Sequence, residues 1–202
     1  MAEKAVRPID AAPGTSSWRT VDIIVTAVLG VAFGLVFWLW ALVFAATGPA
    51  FAGFPPAQAV LYGVFLLPAV VAPLVVRKPG AAVFAELVGA VVEALLGSHF
   101  GSTVILYGLL QGLAAELGFA AFRYRRFGWL QALLAAALAG LAATFLDFGY
   151  YYPDWTVGWK TVYLLLVVSS TVVIAGIGGM ALTRALRASG ALSSFTSGRT
   201  RA

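Results

Sequence analysis

The sequence predicts an all-α, polytopic membrane protein, a bundle of six transmembrane helices, on three observations. Of 202 residues, 61% are hydrophobic and only 10% charged, with mean hydropathy +0.95, whereas charged residues make up about a quarter of a soluble domain. Apolar runs near the roughly 20 residues that a bilayer span requires recur along most of the chain. Twelve of the thirteen basic residues fall before the first run, after the last, or in alternate gaps. The expected organisation is an N-terminal tail (1–20), a helical membrane domain (21–186) and a C-terminal tail (187–202), with no room for a separate soluble domain.

The first helix is expected over 21–46, from Thr20 to the Gly48-Pro49 stop. It is too long for a signal-peptide core and no small-residue cleavage site follows, so it reads as retained. The second (57–76) lies between Pro55-Pro56 and Arg77-Lys78-Pro79. The third (81–96) is short, but Pro79-Gly80 and the loop from Gly97 to Gly101 bound it. The fourth, fifth and sixth are expected over 103–122, 130–151 and 161–186. Lys4, Arg7 and Arg19 precede the first helix, and Arg77 and Lys78 follow the second. Arg123, Arg125 and Arg126 follow the fourth, and Arg184, Arg187, Arg199 and Arg201 end the chain. Only Lys160 falls on the other side. This bias orients both termini to the cytoplasm, so the net charge of +5 is a topology signal and gives no reason to expect nucleic-acid binding.

The acids follow a different rule. Asp22 sits at the start of the first helix, where a carboxylate suits the dipole. Glu86, Glu93, Glu116 and Asp147 lie within predicted spans with no Lys or Arg at comparable depth. An ionisable group at membrane depth is costly and is by default a functional candidate; the alternative is a protonated, hydrogen-bonded packing group. Surplus negative charge without a counter-ion would suit a cationic ligand. Glu86 and Glu93, seven apart, share a helix face. Tyr107 and Gln111 (i, i+4) lie in the outer half of the fourth helix and Glu116 in its inner half. Asp147, Tyr150 and Tyr151 end the fifth.

Aromatic residues gather at the same outer end, where they either stack on a flat or cationic ligand or form the interfacial belt. Trp38, Tyr107 and Tyr150 are the ligand candidates, while Trp40, Tyr152, Trp155 and Trp159 read as belt. His99, in the third loop, faces either ligand or solvent. Thr26, Gly30 and Gly34 form a small-residue stripe on the first helix that lets another helix approach closely. It packs the bundle against itself or meets a partner subunit.

Several activities are excluded. The chain has no cysteine, hence no disulfide, thiolate nucleophile or Cys-ligated metal, and its one histidine excludes a His-rich site. It has no G-x-x-x-x-G-K-[ST] loop for ATP, no nucleophile–base pair and no pair of broken helices in matching halves. The expectation is therefore neither an enzyme nor a protein with a resident cofactor or metal, but a membrane-embedded binding subunit energised by others.

One segment carries a resemblance. Arg77-Lys78-Pro79-Gly80-Ala81-Ala82, then Glu86, Glu93, Leu96-Gly97, then Gly108-x-x-Gln111-Gly112-x-x-x-Glu116 resembles the core of the YkoE family. These are S components (substrate-binding subunits) of energy-coupling-factor (ECF) transporters for thiamine and its hydroxymethylpyrimidine moiety. The resemblance implies a six-helix S component in a bacterial cytoplasmic membrane. It also implies a transmembrane coupling subunit and two cytoplasmic ATPases as partners, and thiamine or hydroxymethylpyrimidine captured from outside. Thr26, Gly30 and Gly34 would then meet the coupling subunit. Glu93 and Asp147 would supply negative charge or accept hydrogen bonds, Gln111 and Glu116 would read the pyrimidine edge, and Trp38, Tyr107 and Tyr150 would stack or close the pocket. Glu86 would complete the site or bridge the third and fourth helices. The alternative reading is a stand-alone proton-coupled carrier, with Glu86, Glu93 and Glu116 as a relay.

Overall fold

The structure, a computed structural model, describes residues 17–190. The outermost parts of both expected tails, with Lys4, Arg7, Arg199 and Arg201, lie outside the described residues. Six helices form the bundle: α1 (Thr20–Thr47, extended by a 3₁₀ turn at Gly48–Phe51), α2 (Pro55–Val76), α3 (Ala81–Leu95), α4 (Thr103–Ala120), α5 (Trp129–Tyr150) and α6 (Val157–Ala188). Five of these are long and apolar enough to cross a membrane. The fifteen residues of α3 reach about 22 Å at 1.5 Å per residue. The helix with two of the intramembrane acids is thus the short one.

Neighbours run α1–α3–α4–α5–α6–α2, and α2 closes on α3. The second half of α2 is the centre of the bundle, with Ala69 through Val75 all buried. Around it Leu66, Leu74, Phe119, Ala132, Ala135, Ala139 and Met180 form the main core. The small residues of α5 let α4 and α6 approach. This end, which carries the chain termini, is solidly packed; the cavity described below lies in the other half.

α2 departs from a plain α-helix. Pro55–Leu66 is 3₁₀ and Leu67–Val76 is α-helical. Twelve 3₁₀ residues rise about 24 Å where an α-helix would rise about 18 Å. Pro56 and Pro68 have no N–H to donate, and side chains of other helices replace missing partners. The Gly63 N–H donates to Ser170 Oγ (3.0 Å), and the Ser170 hydroxyl donates to the Val60 carbonyl (2.8 Å). At the 3₁₀/α junction the Ala69 N–H donates to Glu86 Oε2 (3.0 Å). In α6 a π-helical stretch, Val172–Gly178, interrupts the run. This helix begins at Val157, four residues earlier than the sequence suggests, because the Thr156 hydroxyl caps it by accepting from the Trp159 N–H (3.5 Å).

Two expectations are corrected here. The Thr26, Gly30 and Gly34 stripe does not face outward: all three are buried, and α1 lies directly on α3. A Cβ at Gly30 would stand 2.7 Å from Val88 Cβ, and one at Gly34 would stand 2.6 Å from Val92 Cβ. The stripe is occupied by the chain's own third helix, so it is not a surface for a coupling subunit. The exposed face of α1 instead carries Ile24, Val28, Val31, Leu35 and Leu39.

Glu116 is the second correction. Its carboxyl oxygens accept from the N–H groups of Gly80 (2.7 Å) and Ala82 (2.9 Å). These donors open α3, where no intrahelical acceptor exists and the dipole favours negative charge. Glu116 therefore anchors the start of α3 at the termini end and does not reach the cavity, so it reads no ligand there. Burial and the adjacent Glu116 push the Tyr124 hydroxyl up to about 12, keeping it a proton donor. At the head of α1, Asp22 is similarly closed off. It accepts from the Arg19 N–H (3.0 Å) and pairs with the Arg19 guanidinium (3.0 Å).

Gly34→Leu is expected to lower the stability of the isolated protein by about 1–3 kcal/mol, as overpacking does, while Leu35→Ala, on the exposed face, leaves it nearly unchanged. Thermal unfolding in detergent checks this, and an unchanged midpoint for Gly34→Leu would return the stripe to the surface. Glu116→Ala is expected to cost about 1–3 kcal/mol for each buried donor it strands. Glu116→Gln, which keeps one acceptor oxygen, should fall between it and the native protein in the same assay.

Candidate functional site

Away from the packed core, the half of the bundle distant from the termini encloses a cavity of about 100 Å³. Among the described residues, three carboxyl side chains line it, Glu86 and Glu93 from α3 and Asp147 from α5, with Gln111 from α4 and no Lys or Arg. Nine aromatic rings complete the wall: Phe37, Phe44, Tyr62, Phe65, Phe100, Tyr107, Tyr151, Tyr152 and Tyr163. Gly108 and Ala90 meet where α3 and α4 touch; a Cβ on Gly108 would lie 2.5 Å from that of Ala90. Close approach of these helices aligns Glu86, Glu93, Tyr107 and Gln111 on one wall.

Each acid has a distinct set of partners. Asp147, almost fully buried, accepts from the Tyr107 hydroxyl at Oδ1 (2.8 Å) and from the Tyr163 hydroxyl at Oδ2 (2.6 Å). Both oxygens are thus engaged, and Asp147 orients two rings of the wall. Glu86 spends one oxygen on the Ala69 N–H, tying the cavity floor to the 3₁₀/α junction of α2. It bridges α3 to α2, where the sequence reading offered α4. Glu93 accepts from Ser98 Oγ (2.6 Å), which in turn accepts from the Phe100 N–H (3.2 Å). That chain of bonds ties the loop after α3 to the cavity. The Gln111 amide donates to the Tyr62 hydroxyl (3.2 Å), which leaves its carbonyl oxygen for another donor.

Phe100 covers the loop side of the cavity. Its ring meets Phe44, Phe65 and Tyr151 edge-on at 5.7, 6.0 and 6.2 Å. Outside it, the Tyr152 and Trp155 rings stack at 3.9 Å. Burial, and next the Asp147 charge, push the Tyr152 hydroxyl up to about 12, so it remains protonated. The arrangement can hold a flat, hydrogen-bonding or cationic solute between rings. Among the described residues that line it there is no nucleophile–base pair.

Of the expected ligand residues, the structure brings Glu86, Glu93, Tyr107, Gln111 and Asp147 together. Trp38, Tyr150, His99 and Glu116 are not in the wall. Phe37 occupies the inward position beside Trp38, because it continues the buried face Gly30, Gly34, Phe37, Ala41. Tyr150 is 54% exposed and its ring lies 6.2 Å from that of Tyr107; Tyr151, four residues after Asp147, lines the cavity instead. His99 is exposed and rests against Phe100 (5.2 Å). Sequence reasoning missed Phe37, Phe44, Phe65, Phe100 and Tyr163. Extending the glycine stripe of α1 by one turn would have found Phe37. Tyr163 carries no local signal, since its partner Asp147 is on another helix.

Comparison with known proteins agrees with this architecture. Residues 21–142 match the family described as "ABC-type cobalt transport system, permease component". The "Putative HMP/thiamine permease protein YkoE" of Bacillus subtilis (strain 168) is 32% identical over 187 residues, which cover 91% of this chain and 92% of that protein. A solved structure described as "Crystal structure of an S-component of ECF transporter" superposes with a TM-score of 0.84 at 31% identity. The match covers 91% of this chain and 92% of the other. With six helices in the S-component arrangement and relatives aligned over nearly the whole length, the chain belongs to the YkoE family of ECF-transporter S components: multi-pass transport subunits of the bacterial cytoplasmic membrane, not enzymes.

Proposed function

We propose that this chain is the substrate-capturing subunit of an ECF-type vitamin importer, binding thiamine or its hydroxymethylpyrimidine moiety in the aromatic, carboxyl-lined cavity. One observation carries the reading: three acids and an amide converge between nine rings with no basic side chain among them. Such a wall favours a flat ring that donates hydrogen bonds, and favours positive charge over negative. The name of the YkoE relative points to the same ligands.

The cavity volume refines the choice. At about 100 Å³ it is closer to the ~150 Å³ hole that holds benzene than to a two-ring site. The aminopyrimidine ring occupies it, reading the Gln111 carbonyl and the free oxygen of Glu86. The thiazolium of thiamine, a permanent cation, then lies toward Glu93 and the Phe100 rim, where the loop 97–101 moves to admit it. Asp147 contributes by fixing Tyr107 and Tyr163. Cobalt, which the matching family's description names, is a poorer cargo for this wall: its three acids are spread around the cavity, and among the described residues no group of three His, Asp or Glu side chains could hold a metal ion.

The basic residues support an orientation with both termini cytoplasmic. Arg19, Arg77, Lys78, Arg123, Arg125, Arg126, Arg184 and Arg187 border the end where α1 begins, and Lys160 borders the other. The cavity then opens outward, and a coupling subunit with two ATPases supplies the energy that this chain lacks.

Calorimetry on the purified protein tests the assignment. Both hydroxymethylpyrimidine and thiamine are expected to bind, and Gln111→Ala is expected to weaken both by roughly tenfold or more, the cost of stranding ligand donors. Glu93→Gln should weaken thiamine by about tenfold, as loss of a partly desolvated charge pair does, while sparing the neutral pyrimidine. Unchanged thiamine affinity in both variants would sink the assignment, as would cobalt binding in place of either vitamin.

A further inference from the structure

We propose that the end of the bundle carrying the chain termini holds a binding site for a phosphate-bearing anion, formed by Arg77 and Arg187 with Arg184 beside them, and that a membrane phospholipid supplies the phosphate. Arg77 closes α2 in the left-handed conformation (φ 56°). Arg187, in the last turn of α6, reaches the same helix end: its Nη2 donates to the Leu74 carbonyl (3.3 Å), three residues before Arg77. Two guanidinium groups from different helices therefore meet at one corner.

Among the described residues, no carboxylate offsets their charge. Of the described acids at this end, Asp22 is committed to Arg19 and Glu116 to the start of α3. The carbonyl end of α2 offers only a partial charge. Among the described residues, the buried side-chain nitrogens or oxygens without a hydrogen-bond partner are two, and they are Arg77 Nε and Arg187 Nε. Burial, and next the Arg187 charge, hold the Arg77 guanidinium below its ordinary pKa. Among the described residues, no carboxylate pairs with the Nη groups of Arg77. Phosphate is the complement to this geometry, since its oxygens accept paired N–H donors from the guanidinium edge.

Depth identifies the source. The Arg184 guanidinium lies over the Trp129 ring (4.7 Å) at the start of α5, and tryptophan at a span terminus marks the headgroup level. A basic pocket between helices at that level takes an acidic lipid headgroup. Arg77, Arg184 and Arg187 thus stand where a phospholipid phosphate passes.

Native mass spectrometry of the delipidated full chain, titrated with phosphatidylglycerol or phosphatidylcholine of the same acyl composition, tests this. Both lipids carry the phosphodiester, but the choline cation cancels the headgroup's net charge and would face three guanidinium groups, so one phosphatidylglycerol should bind at least about tenfold more tightly than phosphatidylcholine. Arg77→Gln, which breaks no side-chain hydrogen bond among the described residues, should abolish that preference with an unchanged unfolding midpoint. Arg187→Lys, which keeps the charge and a donor for Leu74 but loses the fork, should reduce it several-fold. Arg125→Gln, on the exposed loop after α4, should leave it intact. Equal retention of both lipids, native affinity in Arg77→Gln, or an equal loss in Arg125→Gln would overturn the site. Displacement of bound lipid by excess sodium phosphate would assign it to a soluble anion and overturn the lipid; retention supports it.

Discussion

Hydrocarbon offers no partner to a polar group, so every acid and every interrupted stretch of backbone within the bundle must be satisfied by another part of the chain. The acid pairings follow from this constraint. Glu116 closes the open donors of α3, Glu86 closes a donor at the junction within α2, and Asp22 closes the head of α1 together with Arg19. In each case a carboxyl group meets helix N–H groups that would otherwise lack an acceptor, at the end where the dipole favours it. The two unfavourable features cancel, and the helix order is set by which carboxyl reaches which terminus.

The cavity is a by-product of the same requirement. α2 stretches into 3₁₀ geometry over its first half, and Ser170 of α6 and Glu86 of α3 satisfy groups along it. The α-helical half is buried on all sides, while the stretched half borders open volume. Asp147, unable to find backbone donors, recruits the hydroxyls of Tyr107 and Tyr163 and so turns two rings toward that volume. A group that reads as a ligand contact in isolation works here by orienting the wall.

Glu93 differs from the other buried acids, because its partner is the hydroxyl of a loop residue, Ser98, whereas Glu86 and Glu116 are held by helical backbone and Asp147 by tyrosines of neighbouring helices. Loops yield at lower cost than helices. The acid best placed to exchange its partner for a ligand is therefore the one tied to the segment that carries Phe100 over the cavity. On the proposed function, ligand binding and movement of this loop would share one hydrogen-bonded chain, Glu93–Ser98–Phe100, while the packed end near Leu74 and Phe119 stays in place.

The sequence alone determined the membrane class, the six helices and which ionisable residues enter the bundle, because hydropathy and charge act over single segments and every span must meet the same solvent. The motif running from Arg77 to Glu116 was legible for the same reason, as it joins adjacent helices at fixed spacing. Partner choice was not legible. Glu116 and Gln111 share α4, yet one caps α3 and the other lines the cavity; Trp38 and Phe37 are adjacent, yet only Phe37 faces inward. The glycine stripe of α1 declared a close approach without naming the helix that makes it. Those outcomes depend on the rotation of each helix about its axis and on the distances between helices. Only the packed tertiary structure settles these, because the energy of a buried polar group lies in its partner, and the partner is on another segment.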